Sequence, residues 1–167
     1  MDAIDQLIAQ WAREKPALDT EPMAIMGRLL RVAKHIETQV AQLHKSYDLT
    51  LGEFDVLATL RRSGEPFLLT PSELIDSMLL TSGAMTNRLD KLSSKGLISR
   101  LHNQSDRRSL PVQLTEQGVT LIDEVIEKHV QVQHSLFQSM SHDQKQQLNQ
   151  HLKYLMFEFE ENPCLTK

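Results

Sequence analysis

The stretch from Thr81 to Thr115 constrains the fold more than any other, because it combines an amphipathic helix with the pattern of a basic-tipped hairpin. Thr81 or Ser82 can cap the start of the helix, and Gly96 stands where a left-handed residue can end one. The apolar side of this helix repeats at helical spacing and consists of Met85, Leu89 and Leu92. We therefore predict a helix that starts at Thr81 or Ser82 and ends before Gly96.

The opposite side of this helix is small and polar, whereas an ordinary surface helix carries more Glu and Lys. Its residues are Ser82, Gly83, Thr86 and Asn87, with Lys91 one turn further on. Small polar side chains allow the N-terminal half of a helix to enter a DNA major groove, which is about 12 Å wide. We therefore predict that these five residues contact DNA.

A second helix signal lies just upstream. Thr70 supplies a cap, Pro71 suits the first helical position, and Glu73 completes a capping box. The short apolar face that follows consists of Leu74, Ile75 and Met78. Two helices this close, joined through Leu79 and Leu80, predict a helix-turn-helix whose second helix reads DNA.

A hairpin is predicted downstream of the two helices. Leu97-Ile98 and Leu110 to Leu114 are short strand candidates. Residues 102–109 between them are polar and rich in the residue types that turns favour. Together with the two helices, this hairpin predicts a winged helix-turn-helix.

The wing carries a more specific pattern, an Asp-x-Arg followed by Val-x-Leu-Thr-x-x-Gly. Its residues are Asp106, Arg108, Val112, Leu114, Thr115 and Gly118. In this pattern the chain resembles the multiple antibiotic resistance regulator (MarR) family, and the order of helices and strands agrees over residues 24 to 160. The resemblance implies that Asp106 and Arg108 form a pair that braces the wing. It also implies that a wing arginine, Arg107 or Arg108, enters the minor groove.

The charge of the chain is distributed unevenly. Between Thr81 and Leu110 there are six basic and two acidic residues, or +4, although the whole chain is −4 and the remainder is therefore about −8. A basic reading surface on an acidic body favours oriented binding to nucleic acid. No apolar run approaches the ~20 residues of a membrane span, and the N-terminal residues lack the basic start of a signal peptide. We expect a cytoplasmic protein without membrane partners.

The two ends of the chain predict long helices that form a homodimer. The first follows Pro22 at helical period, through Ile25, Met26, Leu29, Leu30, Val32, Ala33, Ile36, Val40 and Leu43. The second follows Thr115, and a capping box of Ser141 and Gln144 opens a last helix. These arms exceed what one winged lobe can cover, and a two-fold axis would bury the excess and place two reading helices roughly 34 Å apart. A palindromic operator in double-stranded DNA follows.

The predicted fold class is therefore mainly α, with a small β-hairpin wing and dimerisation helices on both sides of the winged helix-turn-helix. We predict an N-terminal helical segment over residues 1–47 and a DNA-binding lobe over 48–117. Residues 118–167 are predicted to form the C-terminal dimerisation helices, so that the whole is one intertwined domain.

Two charged residues interrupt apolar faces. Arg88 lies beside the inward stripe of the reading helix, and Asp55 lies among Phe54, Val56 and Leu57 on another predicted helix. A charge on such a face is costly unless it is paired. The pattern leaves two compatible interpretations open: an internal Asp55–Arg88 ion pair, or a site where a small anion competes for the arginine.

The N-terminus narrows the resemblance to the urate-responsive PecS/HucR-like branch of the family, which has an extra first helix with a tryptophan. Here Ile4, Leu7, Ile8 and Trp11 have helical spacing. The positions that match the urate pocket of that branch are Trp11, Asp55, Arg88 and Arg100. The resemblance implies a small anionic aromatic or purine-like effector. From the residues alone, Trp11 could instead anchor the added helix, and Arg100 could contact DNA phosphate.

Other chemistry has little support in the sequence. Cys164 is the only cysteine, so an intramolecular disulfide is excluded, and no histidine spacing suits a metal. His129 and His134 are expected to be solvated or to lie in a dimer interface. No phosphate-binding loop or nucleophile motif occurs, so we expect neither an enzyme nor a cofactor.

We predict a ligand-responsive repressor that an effector releases from DNA. The alternatives are a MarR-type regulator of phenols or oxidants, and a winged-helix interaction module without an effector.

Overall fold

The computed structural model describes residues 1–78, 85–101 and 110–161. In chain order its elements are α1 (Ala3–Glu14), α2 (Glu21–Ser46), α3 (Leu51–Arg62), β1 (Leu68–Leu69), α4 (Pro71–Ser77), α5 (Met85–Ser94), β2 (Ile98–Arg100), β3 (Val112–Leu114), α6 (Glu116–Leu136) and α7 (His142–Glu161). The predicted fold class is confirmed, since the chain is mostly helical with a small antiparallel sheet. None of the described helices is long and apolar enough to cross a membrane.

Helix α1 packs on α2. Asp2 caps α1 and forms a capping box with Asp5, while the buried Ile4 touches α2 at Gly27. Arg28 of α2 pairs with Asp5 and with Asp2, where the distance from Nε to Oδ2 is 2.9 Å. Hydrogen bonds from the Asp5 N–H and then from Arg28 lower the pKa of Asp2 to about 2. The first turn of α1 is thus fixed to α2 by one apolar contact and two ion pairs.

Helix α3 forms the centre of the winged lobe. Thr50 caps it, and Glu53 completes the capping box by accepting a 2.8 Å hydrogen bond from the Thr50 N–H. Residues 52–57, 59 and 60 are buried. The core around α3 draws on every later element up to α6, with Leu57, Leu60, Leu74, Leu92, Val112, Ile122 and Val125 among its members.

Helices α4 and α5 and strands β2 and β3 lie where the sequence predicts the two helices and the two strands of the hairpin. The predicted start of the reading helix at Thr81 or Ser82 and the hairpin tip lie outside the described residues. Thr70 and Glu73 form the expected capping box of α4, and Gly96, at a φ of 70°, follows α5 in the left-handed conformation. Strand β3 pairs with β2 through Ile98–Leu114 and Arg100–Val112. It also pairs with β1 through Leu69–Val112, which gives the order β1-β3-β2. Strand β1 is not predicted from the sequence, because its two residues carry no alternating pattern.

The described chain forms two compact units, Met1–Val130 and Gln131–Lys167. The first holds the winged lobe with α1 and α2. In the second, α7 begins at the predicted capping box, where the Ser141 N–H donates to Gln144 Oε1 at 2.8 Å and the Gln144 N–H donates to Ser141 Oγ at 3.2 Å. Tyr154, Met156 and Phe157 of α7 are exposed.

Candidate nucleic-acid interface and ligand site

Helix α5 separates its apolar and polar residues cleanly. Met85, Leu89 and Leu92 are at most 7% exposed and belong to the core of the winged lobe. Thr86, Asn87 and Lys91 are exposed on the other side. The helix is therefore fixed by one face and offers the opposite face to a partner.

Five residues of the predicted interface lie outside the described part of the chain. They are Ser82 and Gly83 before α5, and Asp106, Arg107 and Arg108 between β2 and β3. The described part of the interface is thus the outward face of α5 and the two strands that lead to and from the wing tip.

Arg88 lies on the inner side of α5 and packs over α3. A methyl group built at Gly52 would lie only 2.8 Å from Arg88 Cζ, so the guanidinium occupies the space that a larger residue would fill. Asp55 is three residues after Gly52 on the same helix and is 7% exposed. Because residues three apart share a helix face, the structure brings Asp55 and Arg88 to the same contact between α3 and α5.

Arg100 is attached to the reading helix from the other direction. Its Nη2 donates a 2.6 Å hydrogen bond to Asp90 Oδ1, which joins β2 to α5. The Arg100 side chain is 30% exposed and that of Asp90 58% exposed. Arg88 thus joins α5 to α3 by packing, and Arg100 joins β2 to α5 by an ion pair.

Trp11 lies on α1, which packs chiefly on α2, and not on the elements that carry Asp55, Arg88 and Arg100. Its side chain is 36% exposed, while its backbone carbonyl accepts from the Lys15 N–H. The structure thus gathers Asp55, Arg88 and Arg100 around α3, α5 and β2, and presents the Trp11 indole on the first helix.

A stack of three rings that no sequence pattern predicts joins α2, α3 and α6. The Phe54 ring lies 4.1 Å from that of His44 and 4.7 Å from that of His129 between centroids. His44 Nε2 and His129 Nδ1 are 3.2 Å apart, so one ring donates to the other. His129 is half-buried in this stack, so it is not fully solvated, while its expected place in a dimer interface stays a prediction.

Burial controls the charge of both rings in the stack. His44 is fully buried, and this burial, followed by repulsion from His129, lowers its pKa to about 4. Burial lowers the pKa of His129 as well. Both imidazoles are therefore neutral at pH 7, which suits a hydrogen bond in which one ring is the donor and the other the acceptor.

The C-terminal end of α5 is tied to the turn between α2 and α3. Lys95 Nζ donates to the Asp48 carbonyl and lies 3.4 Å from both Asp48 Oδ2 and Glu53 Oε2. Since Glu53 is 2% exposed, Lys95 supplies the positive charge that a buried carboxylate needs. Arg88 at Gly52 and Lys95 at Glu53 thus both hold the reading helix to the first turn of α3.

Comparison with known proteins decides the family. The MarR family profile matches residues 49–110. The chain is 37% identical to the HTH-type transcriptional regulator PecS of Dickeya dadantii over 145 residues, which cover 87% of each protein. The chain belongs to the MarR family. As a member of it, this protein is a DNA-binding transcriptional regulator and not an enzyme.

Solved structures agree with this assignment. A variant of MarR from Escherichia coli in complex with operator DNA is 27% identical, with a TM-score of 0.67 over 83% of this chain and 99% of that one. BpsR of Bordetella bronchiseptica, whose DNA binding is regulated by 6-hydroxynicotinic acid, shares the fold at 22% identity, with a TM-score of 0.68 over 78% of this chain and 98% of its own. Within the described residues of this MarR-family regulator, no group of three metal-binding side chains occurs.

Proposed function

We propose that this regulator is a homodimeric repressor that leaves a palindromic operator when a small anionic aromatic molecule, of the purine or urate type, binds to it. One observation carries the proposal: Arg88, on the inner side of the reading helix, packs over Gly52 next to the turn of α3 that holds Asp55. A ligand anion that attracts the Arg88 guanidinium would act directly on α5. The effector and the DNA would then bind opposite faces of one helix.

The residue types support a planar anion as the effector. A guanidinium pairs with a carboxylate or an enolate in a planar, two-point geometry. Arg88 of α5, and Arg100, which pairs with Asp90 of α5, would supply this group. Trp11, 36% exposed on α1, is the aromatic residue that the resemblance assigns to the pocket, where its indole would stack on the ligand. The resemblance of the N-terminus to the urate-responsive branch supports this ligand class, and so does BpsR, whose DNA binding is regulated by 6-hydroxynicotinic acid.

On the DNA side, the outward face of α5 provides the reading groups. We assign contacts with base edges to Thr86 and Asn87, together with Ser82 and Gly83 before the described start of the helix. Lys91, one turn after Asn87, would contact phosphate, and Arg107 or Arg108 of the wing would enter the minor groove, with Asp106 bracing it. Phosphate contacts set the register of the helix, while base contacts select the sequence.

Release requires only a modest coupling between the two sites. Both reading helices of a dimer must fit their half-sites at once, so a shift of either helix lowers the affinity. Couplings of this kind are typically about 1 to 3 kcal/mol, or about 5- to 150-fold in affinity. Displacing the Arg88 guanidinium from its contact with Gly52 is a local change that can shift α5 and so lower the affinity for the operator.

The decisive experiment is a DNA-binding titration of the purified protein on its own upstream intergenic region, repeated with urate, xanthine and salicylate. We expect urate or xanthine to lower the affinity 5- to 150-fold, and salicylate to have less effect. Arg88→Ala should abolish this response, whereas Arg31→Ala, an exposed arginine of α2, should retain it. Tight binding that no ligand changes would contradict the effector part of the proposal.

The Arg88→Ala result also separates a ligand site from a structural ion pair. If Arg88 binds the effector, the variant should keep most of its stability in urea and lose the response. If Arg88 serves only the fold, the variant should unfold readily, and its folded fraction should still respond to the ligand. Absence of salt-dependent DNA binding in the wild type would instead favour an interaction module.

A further inference from the structure

A cleft at the C-terminal end of α5 has the composition of an anion site. It lies between the end of α2, the turn into α3 and the last turn of α5, with a volume of about 440 Å³. Its polar lining comes from Lys45, Asp48, Thr50, Glu53, Lys91 and Lys95. This volume falls within the range of roughly 300 to 1,000 Å³ typical of ligand sites.

The positive charge of the cleft exceeds what its own acids neutralise. Three ammonium groups face two carboxylates, and Lys95 already serves both Asp48 and Glu53. The Glu53 carboxylate is also occupied by the Thr50 N–H and hydroxyl, at 2.8 and 3.0 Å. Among residues 1–78, 85–101 and 110–161, neither Lys45 nor Lys91 forms an ion pair. These two lysines therefore leave an uncompensated positive field.

The cleft continues the outward face of the reading helix. Asn87, Lys91 and Lys95 follow one another at intervals of four residues, and the Lys95 N–H donates to the Lys91 carbonyl at 3.0 Å, so the ridge stays helical to its end. A helix in a groove about 12 Å wide has a phosphate row along each side. A phosphate next to Lys91 would lie at the mouth of the cleft, within the field of Lys45.

We propose that this cleft, defined by Lys45, Lys91 and Lys95, is a binding site for a phosphate group, with Lys45 as a contact that the reading helix itself does not supply. The phosphate comes either from the operator backbone or from a free phosphate compound. This inference rests on the proposed reading role of α5. Lys95 positions the cleft by tying α5 to the α2–α3 turn, and Lys45 and Lys91 bind the anion.

The salt dependence of DNA binding tests the operator as the source. Each phosphate contact contributes about −0.9 to the slope of log K against log salt. Lys45→Gln should therefore reduce the slope by about one per chain and weaken binding about tenfold at physiological salt. Lys45→Arg should keep the wild-type slope. The control Lys128→Gln, which removes an exposed lysine of α6, should leave slope and affinity unchanged.

A titration with inorganic phosphate in the absence of DNA, followed by amide chemical shifts, tests the free anion as the source. Saturable shifts at Lys45, Thr50 and Lys91 that disappear in Lys45→Gln, with an unchanged DNA slope, would assign the cleft to a free phosphate compound. An unchanged slope together with no saturable phosphate binding would overturn the proposal. If the wild type shows no salt-dependent DNA binding, the proposed function fails, while the phosphate titration still decides the cleft.

Discussion

At the scale of single residues, Gly118 shows why a glycine follows the Val-x-Leu-Thr pattern. A methyl group built there would meet the Leu97 carbonyl group, with 3.1 Å to its carbon and less to its oxygen. That carbonyl is fixed, because it also accepts from the Thr115 N–H. Backbone cannot move aside as a side-chain tip can, so the start of α6 needs glycine where it crosses the start of β2.

We predict that Gly118→Ala lowers the free energy of unfolding, because overpacking usually costs about 1 to 3 kcal/mol. The higher helix propensity of alanine offsets up to about 1 kcal/mol of this loss. Urea unfolding at pH 7 measures it. Gly27→Ala is the matched control, since its methyl group would lie 2.9 Å from the flexible Ile4 Cδ1 and should cost less. Equal losses in the two variants would contradict the backbone explanation.

Gly52 makes the corresponding prediction for function. We expect Gly52→Ala to fold, because Arg88 meets the new methyl group with the end of a flexible side chain. Because the guanidinium is displaced, however, the effector should no longer weaken DNA binding. The ratio of DNA affinities without and with effector should be close to one. Fluorescence anisotropy on operator DNA with and without urate measures this ratio.

A double-mutant cycle shows whether Gly52 acts through the arginine. Adding Gly52→Ala to Arg88→Ala should change neither affinity nor response any further. An additional loss in the double variant would mean that Gly52 supports the site by another route.

At the scale of elements, the His44–Phe54–His129 stack joins two long helices to the centre of the winged lobe. Helices α2, α3 and α6 each contribute one ring, and the rings are nearly parallel, with interplanar angles of 9° to 23°. Protonation of His44 would place a charge in a fully buried position beside a second imidazole. The contact between these helices should therefore weaken in acid.

The sign of the pH effect follows from the lowered pKa of His44. Unfolded His titrates near 6.5 and folded His44 near 4, so the unfolded chain binds more protons between these values. The contribution of neutral His44 to the free energy of unfolding is fully present above pH 6.5. It is lost as the pH drops towards 4, and the loss amounts to up to about 3 kcal/mol.

Urea unfolding between pH 7.5 and 4 tests this dependence. His44→Phe, which keeps a ring in the stack, should lose the slope assigned to His44. His134→Gln, at an exposed histidine of α6, should retain it. Parallel curves for wild type and His44→Phe would exclude His44 as the titrating group.

Local signals in the sequence predicted most elements, because capping and periodicity act within a few residues. Thr70 with Glu73, Ser141 with Gln144, and Gly96 mark their helix ends as expected. No local sequence pattern predicts contacts between residues that are far apart in the chain. His44 and His129 are 85 residues apart, and nothing in the spacing of either pairs them.

The candidate site divides in the same way. The position of Arg88 beside an apolar stripe indicated that it turns inward, and the structure places it against α3. The pairing of Arg100 with Asp90 depends on how β2 returns along α5, which helical periodicity does not encode. Lys45 belongs to the cleft only because α2 ends beside α5.

At the scale of the whole molecule, the exposed apolar side chains require a partner. On α2, Ile25, Met26, Leu30 and Val32 are all more than half exposed, and on α7 the same holds for Tyr154, Met156 and Phe157. Exposed apolar side chains in such numbers on one helix mark an interface with a partner. A second copy of the chain would cover both helices and supply the second reading helix that a palindrome needs.

We predict a dimer that protects two half-sites one helical turn apart, about 10 base pairs or 34 Å. Analytical ultracentrifugation should show two chains per particle, and hydroxyl-radical footprinting should show a symmetric pattern on the operator. Inserting five base pairs between the half-sites places them on opposite faces of the duplex. Because one dimer cannot then contact both, the affinity should fall to the non-specific level, about a thousandfold or more.

A ten-base-pair insertion is the control for that experiment. It returns both half-sites to one face of the duplex but doubles the distance between them, so a rigid dimer should not regain full affinity. Five base pairs added outside the half-sites should change nothing. If the operator with the central five-base-pair insertion binds as tightly as the original, each chain reads DNA independently. The exposed faces of α2 and α7 would then serve a purpose other than holding two reading helices at a fixed spacing.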